Sequence, residues 1–356
     1  MMLMGSAGDL IIVFLSLELL SIPLYVLAGI DHKRDASREA SLKYFLLGTM
    51  ASAFVLFGIA FVYGAAGTTS LYGITEAVSQ GKVQQFLLIC GSALLLAGFG
   101  FKVAAVPFHS WTPDVYHGSP SSVTAFMSVG AKAAGFAALI RVFSLNFTAI
   151  AIELTPLFWV LSALTMIVGN VVAVAQTNLK RMLAYSSIAH AGYILMAFVG
   201  FGDAAVRQNS IASALFYLAA YALTSLGAWS VLVAVEQQDG SGNEISDLAG
   251  LGKTAPSLAA AMVVFMLSFT GIPLTLGFWG KFYLFRTAIE GGFTYLAVAG
   301  LLTSLVSAFY YLRVVVKMYF QPGEALAHKG RLTSLIATIL AILVVGLAFV
   351  PGYLFN

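Results

Sequence analysis

Five titratable side chains stand inside long apolar runs of this sequence: Glu18, Lys102, Lys132, His190 and Lys281. Glu18 lies in FLSLELLSIPLYVL, Lys102 in GFGFKVAAV, Lys132 in MSVGAKAAGF, His190 in LAYSSIAHAGYILM and Lys281 in GFWGKFYLF. Ionisable groups in such surroundings are costly and mark functional sites by default. Burial disfavours the charged form of an acid or an amine, and a nearby opposite charge restores it. A glutamate and a lysine on facing helices are therefore a switch, in which separating the pair lets the lysine give up its proton. That is the chemistry of a proton relay, where transfer is efficient only between groups of matched proton affinity. The plainer alternatives are a structural helix–helix ion pair for Glu18 and snorkelling to an interface for the lysines. Snorkelling is disfavoured where apolar residues flank both sides. Ser186, Ser187 and His190 share one helix face by their three- and four-residue spacing, which suits either a relay or simple hydrogen bonding across helices.

The stretch from Gly98 to Lys132 organises the first half of the chain. It is apolar at both ends and interrupted by Pro107, Phe108 and His109 and by Trp111, Thr112, Pro113 and Asp114. Proline lacks the N–H that a helix needs, so the helix is expected to open near both prolines. In hydrocarbon such a break is tolerated only inside protein or beside a polar cavity. Asp114 is placed to orient His109 or His117, and neither histidine has a second ligand at metal-binding spacing. Trp111, Tyr116, Trp279 and Tyr283 read as packing or interface aromatics.

Composition sets the class. Of 356 residues, 60% are hydrophobic and 9% charged, against about 25% charged in a soluble domain, and the mean hydropathy is +0.93. This is an all-α integral membrane protein, since its apolar runs match helical rather than barrel spans. The net charge of +3 comes without any basic block, which gives no support to nucleic-acid binding. A single cysteine, Cys90, excludes an internal disulfide and a thiolate cluster. With no GxGxxG, P-loop or CxxC, no nucleotide, haem, flavin, iron–sulfur or metal site is expected in the chain. The first residues carry no basic segment of the kind that opens a cleavable signal peptide.

Ten spans are expected, near residues 10–30, 42–63, 86–127, 129–146, 157–175, 182–201, 211–235, 257–285, 294–319 and 332–350. Two are broken: 86–127, and 257–285 with its Gly271–Ile272–Pro273 interruption and Gly277 hinge. Interrupted segments in matching places point to inverted repeats. The expected division is a first half at 1–150, a second half at 151–320 and a C-terminal helix at 321–356. A five-helix repeat would need one more helix ahead of Asp9, so the first repeat reads as incomplete. The expectation is that upstream sequence or a neighbouring subunit covers the open face of the Glu18 span. Lys33, Arg34, Arg38, Lys180, Arg181, Lys253, Lys317, Lys329 and Arg331 fall on one side, and only Lys82, Arg141, Arg207 and Arg286 on the other. The first side is read as cytoplasmic and the C-terminus as non-cytoplasmic.

The runs FKVAAVPFHSWTPDVYHGSPSSVTAFMSVGAKAAGFAALIR, QTNLKRMLAYSSIAHAGYILMAFVG, SLELLSIPLYVLAG, REASLKYFLLG and GIPLTLGFWGKFYLF resemble the subunit N family of bacterial NADH–quinone oxidoreductase, respiratory complex I. That family sits among antiporter-like proteins shared with other proton-pumping subunits and cation/proton antiporters. The resemblance covers nearly the whole chain. KRMLAYSSIAH marks only the wider superfamily, whereas TPDVYHGSP, with Lys132 thirty residues after Lys102, favours subunit N. It implies that Glu18 and Lys102 form the charge pair of a first half-channel, that Lys132 connects at mid-membrane, and that Lys281 ends the second half, with His190 a further relay candidate. It also implies a proton-translocating subunit with no redox centre of its own. NAD, FMN, iron–sulfur clusters and quinone would sit in other subunits. The implied partners are other membrane subunits of complex I, the lipid bilayer and protons, in the bacterial plasma (inner) membrane. Members of the family normally carry several more helices before the Glu18 span, so the chain reads as N-terminally short. Two other readings stand: a subunit of a multisubunit Na⁺(K⁺)/H⁺ antiporter, and a truncated scaffold that no longer pumps.

Overall fold

The apolar runs fold as helices in the computed structural model, which describes residues 1–237, 241–327 and 330–352. A short α1 (Met2–Ser6) precedes α2 (Leu10–Ala28), α3 (Asp35–Ala66), a surface helix α4 (Leu71–Ser79) and α5 (Gln85–Val103). The half-helix α6 (Trp111–Gly118) completes the first broken span. The next span, of 24 residues from Ser121 to Ser144, joins α7 (Ser121–Phe126) to α8 (Lys132–Leu139) through a π-helical turn, Met127–Ala131, and ends in a second one, Ile140–Ser144. There follow α9 (Ala151–Val174), α10 (Leu179–Leu195), α11 (Ala204–Val235), the short α12 (Leu251–Thr254), α13 (Pro256–Thr270), α14 (Leu276–Glu290), α15 (Thr294–Phe320) and α16 (Arg331–Gly346). Among the described residues, eight helices are long and apolar enough to cross a membrane. The shorter α10 and the paired halves α5/α6 and α13/α14 complete the arrangement.

Both breaks form where expected. After Val103 the chain enters the left-handed region at Ala104 (φ 63°) and passes a cis Val106–Pro107 bond. The Val106 N–H, lost to the helix, donates instead to Thr165 Oγ1 at 2.9 Å. The Trp111 ring N–H donates to the Phe101 carbonyl at 3.0 Å, so the orphaned backbone groups find partners inside the protein. The second break is set by Gly271 (φ 86°) and Leu274 (φ 72°). Gly271 closes α13 in a conformation that glycine adopts without steric cost.

The position of Pro113 and the end of the first broken span differ from expectation. Pro113 lies in the first turn of α6, where its missing N–H has no helical acceptor to lose, and it breaks nothing. The helix stops instead at Gly118, and Pro120 stands immediately ahead of the next helix. The boundary therefore falls near residue 120, not 127–129, and Lys132 moves from near the start of its span to its middle.

Packing relies on close backbone approach. A Cβ on Gly169 of α9 would lie 2.6 Å from the Ala189 nitrogen of α10, and one on Gly192 would lie 2.6 Å from the Met166 nitrogen. Small residues at such crossings let dispersion contacts form along both helices. One end of the bundle is tied by ion pairs: Lys43 and Arg181 to Asp114 at 2.8 and 2.9 Å, and Lys180 and Arg34 to Glu236 at 3.2 and 3.7 Å. Lys180 is not a solvated loop cation: it is completely buried and donates also to the Ser119 carbonyl at 2.7 Å. Lys329, assigned to the same side from the sequence, lies outside the described residues.

Candidate functional site

Three lysines are buried within the helices: Lys102, Lys132 and Lys281 are 4%, 2% and 5% exposed. None has a carboxylate within 4 Å among the described residues, unlike the equally buried Lys180 with its Glu236. Their ammonium groups are satisfied by neutral oxygens and aromatic faces.

Lys102, in the last turn of α5, donates to Ser21 Oγ of α2 at 2.8 Å and to the Tyr44 hydroxyl of α3 at 3.4 Å. Tyr44 is itself held by stacking on Trp111, ring centroids 4.6 Å apart. Glu18 stands three residues before Ser21 on α2 and accepts a hydrogen bond from Ser52 of α3. Glu18 and Lys102 are therefore not a contact ion pair. Each is held by a serine, and Ser21, Ser52 and Lys102 border one small cavity of about 10 Å³, near the smallest volume that admits a water molecule. Leu15, Leu19 and Ile22, which flank Glu18 on α2 at three residues before, one after and four after it, are 53%, 69% and 55% exposed.

Lys132 directly follows the Met127–Ala131 π-turn, a distortion that re-aims the residues beside it and recurs at functional sites. Its Nζ lies 2.6 Å from both the carbonyl and the hydroxyl of Ser187 on α10. Tyr221 of α11 donates to the same hydroxyl at 2.8 Å. Lys281, on α14, reaches back to the end of the preceding half-helix. It donates to the carbonyls of Phe269 and Thr270 at 2.9 and 3.0 Å and to Ser304 Oγ of α15 at 2.6 Å. Carbonyls at a helix C-terminus lack N–H partners and carry partial negative charge, so the break itself creates the ammonium's binding site. Each lysine also faces a tyrosine ring: Tyr44 at 5.7 Å, Tyr221 at 5.9 Å and Tyr193 at 4.9 Å from the respective Nζ, within the range of cation–π attraction.

The His190 ring packs at 5.2 Å against Tyr221, which Lys132 faces, and at 5.1 Å against Phe269, whose carbonyl binds Lys281. Its Nδ1 meets the Tyr217 hydroxyl at 2.6 Å and its Nε2 the Tyr311 hydroxyl at 3.1 Å. The expectation that Asp114 orients a loop histidine does not hold, because its two oxygens receive Lys43 and Arg181. His109 Nδ1 has no hydrogen-bond partner. Trp111 and Tyr116 are core packing residues, 3% and 1% exposed. The structure thus groups Lys132 and His190 on α10 and its neighbours, Lys281 beside them on α14, and Glu18 with Lys102 at a separate α2–α3–α5 contact. The partners Ser21, Tyr44, Ser304, Tyr217 and Tyr311 were not singled out in the sequence. A serine or tyrosine in an apolar helix is too common to signal by itself.

The sequence matches the family described as NADH:quinone oxidoreductase/Mrp antiporter, TM, over residues 7–307. A NADH-quinone oxidoreductase subunit N from Trichlorobacter lovleyi is 48% identical over 353 residues, covering 99% of this chain and 71% of that protein. Another subunit N, from Rhodococcus opacus, is 44% identical and covers 91% of this chain and 59% of its own length. Among solved structures, a chain of respiratory complex I from Thermus thermophilus with bound aureothin superposes with a TM-score of 0.85 at 39% identity, covering 99% of this chain and 76% of that one. The chain therefore spans between 59% and 71% of the two curated relatives.

Proposed function

The chain belongs to the NADH:quinone oxidoreductase/Mrp antiporter transmembrane family, and from that premise we propose that it is a proton-translocating membrane subunit of NADH–quinone oxidoreductase. Redox chemistry in other subunits drives it, and it carries no redox centre itself. The observation that supports this most is the set of three buried lysines without a carboxylate in contact. A structural buried charge is normally paired, as Lys180 is with Glu236. A lysine held only by hydroxyls, carbonyls and a ring can exist with or without its proton while its surroundings stay hydrogen-bonded. In this reading Glu18 acts on Lys102 across the two serines, and a proton passes from Lys102 towards Lys132, His190 and Lys281. The C-terminus lies on the non-cytoplasmic side of the bacterial inner membrane, opposite the end that carries Arg34, Lys180 and Arg181.

The test is proton translocation by the assembled complex in sealed vesicles. Lys132→Ala and Lys281→Ala are expected to lower the protons moved per NADH oxidised while the complex still assembles. Normal pumping by both variants would overturn the assignment. The antiporter reading uses the same lysines, and a sodium or potassium gradient that drives proton movement without NADH would favour it instead.

A further inference from the structure

We propose that Tyr311 and Tyr217 are proton-passing residues on either side of His190, forming with Ser186 a continuous chain between the Lys132 and Lys281 sites. This rests on the proton-translocating reading above. The chain runs Ser186 Oγ to Tyr311 Oη, Tyr311 Oη to His190 Nε2 (3.1 Å) and His190 Nδ1 to Tyr217 Oη (2.6 Å). All four residues are buried, at 1%, 1%, 3% and 2% exposure in that order. Among the described residues neither end, Ser186 or Tyr217, bonds a lysine directly, and a bridging water molecule completes the chain at each end. Ser186 is the chain neighbour of Ser187, which binds Lys132. The Tyr217 ring lies against Gly280, where a Cβ would come within 2.6 Å of it, and Gly280 immediately precedes Lys281. The Tyr311 ring is fixed by stacking on Phe269 at 5.4 Å, whose carbonyl binds Lys281.

The chemistry follows from the donor and acceptor capacity of each group. A hydroxyl both donates and accepts, and a neutral imidazole donates from one nitrogen and accepts at the other. In one setting Ser186 donates to Tyr311, Tyr311 to Nε2, and Nδ1–H to Tyr217. A proton delivered to the Ser186 oxygen moves the serine's own proton to Tyr311 and the Tyr311 proton to Nε2. The Nδ1 proton then passes to Tyr217, and the Tyr217 proton leaves towards the Lys281 side. One proton enters and one leaves, every oxygen ends neutral, and His190 has changed only its tautomer. Rotation of the hydroxyls and return of the tautomer reset the chain. Two phenols could also serve merely to satisfy a buried imidazole, and the test must separate the two roles.

The experiment measures proton translocation by the whole complex in vesicles carrying Tyr311→Phe, Tyr217→Phe, both together, or Tyr310→Phe. Tyr310 is equally buried and its ring packs on Tyr311 at 4.4 Å, but its hydroxyl donates to Asn170 at 2.9 Å and does not bond His190, so Tyr310→Phe controls for the loss of a neighbouring phenol. Each single variant is expected to slow translocation by roughly tenfold or more, the scale of a lost proton-transfer group. The double variant should do no worse than either single one, because links in series are lost once, whereas independent packing defects add. Tyr310→Phe should pump normally. If a phenylalanine variant fails to assemble, Ser186→Ala carries the same expectation at another link. Normal pumping by Tyr311→Phe and Tyr217→Phe, or additive losses, would overturn the chain while leaving the lysine assignment intact, provided Lys132→Ala and Lys281→Ala still lower the protons moved per NADH. If the lysine variants pump normally as well, the translocation reading falls and the chain falls with it.

Discussion

Lys102 donates to Ser21 at 2.8 Å, one helical turn along α2 from Glu18, while Glu18 takes its hydrogen bond from Ser52. The carboxylate on α2 and the ammonium on α5 are thus each held by a serine that borders the same cavity, without touching each other. A charge pair with a polar layer between its members can tighten or loosen without breaking a direct ion bond. Ser21 then matters as much as Glu18. A hydrogen bond to a charged group contributes about 1.5–3 kcal/mol, and Tyr44 at 3.4 Å replaces little of it. Ser21→Ala is expected to slow proton translocation several-fold without preventing assembly, and Ser21→Thr to retain most of it. Glu18→Gln should impair pumping and Glu18→Asp preserve much of it. Equal behaviour of the two Glu18 variants in the vesicle assay would make Glu18 a packing residue.

Lys180 and Lys281 are both buried lysines on helix faces, but their partners differ in kind. Lys180→Met would leave Glu236 with Arg34 at 3.7 Å as its remaining ion contact. Removing one member of a buried pair costs about 3–5 kcal/mol, and the residual Arg34 contact places this case near the lower end. Lys281→Met would strand two carbonyls and a hydroxyl, a cost of about 1–3 kcal/mol. The expected outcomes are opposite. Lys180→Met lowers the melting temperature more and leaves pumping per assembled complex unchanged; Lys281→Met lowers pumping more. Thermal melting of the purified complex beside the vesicle assay checks both.

Much of this site could be read in one dimension, and some of it could not. A lysine within GFGFKVAAV or GFWGKFYLF is conspicuous because charge is rare in apolar runs, and the breaks announce themselves through Pro107 and Gly271. The partners are invisible in that view. Ser21 is 81 residues from Lys102, Ser187 is 55 from Lys132, and Tyr311 is 121 from His190, and only helix packing brings them together. The burial of Lys180 was hidden for the same reason: its pairing with Glu236 spans 56 residues. Pro113 was read as a breaker because the sequence did not show that it falls in a helix's first turn. The π-turn before Lys132 has no composition of its own, and nothing in MSVGA distinguishes it from ordinary helix.

Glu236, just past the end of α11, supplies a pH dependence. Burial pushes its carboxyl upward, but the Lys180 charge and hydrogen bonds from Asn243 and Lys180 together hold it below its ordinary value of 4.5. A group whose folded value is depressed binds its proton more readily when unfolded. Its stabilising contribution is therefore present above the ordinary carboxylate value and is lost as pH falls through the folded value. The tie between α10, α11 and the Arg34 loop should weaken on acidification below about pH 4.5. In Glu236→Gln that component should be absent. Melting temperatures of both proteins across pH 3–7 measure the difference, and parallel curves would refute the assignment.

The π-turn Met127–Ala131 offers the sharpest geometric test. A π-turn accommodates one residue more than an α-turn, so deleting Val129 would let the span revert to regular helix. Because the wide turn takes up the extra residue, the deletion turns the two flanks against each other by far less than the roughly 100° that one residue spans in a regular helix, and it re-aims chiefly the residues at the turn itself. Ala134, Gly135 and Phe136 are buried, and the Gly135 backbone packs so closely that a Cβ there would lie 2.8 Å from Val103. These contacts resist rotation of α8, so part of the strain would fall on α7 and part on Lys132. The ammonium would then leave the position where it meets both Ser187 oxygens at 2.6 Å. Proton translocation is expected to fall to the level of Lys132→Ala, although the lysine is still present. Substituting Val129 by Ala, which keeps the residue count, should leave pumping near normal. If the deletion variant assembles and pumps as well as the substitution, the π-turn does not aim Lys132 and its position depends on the α10 contacts alone.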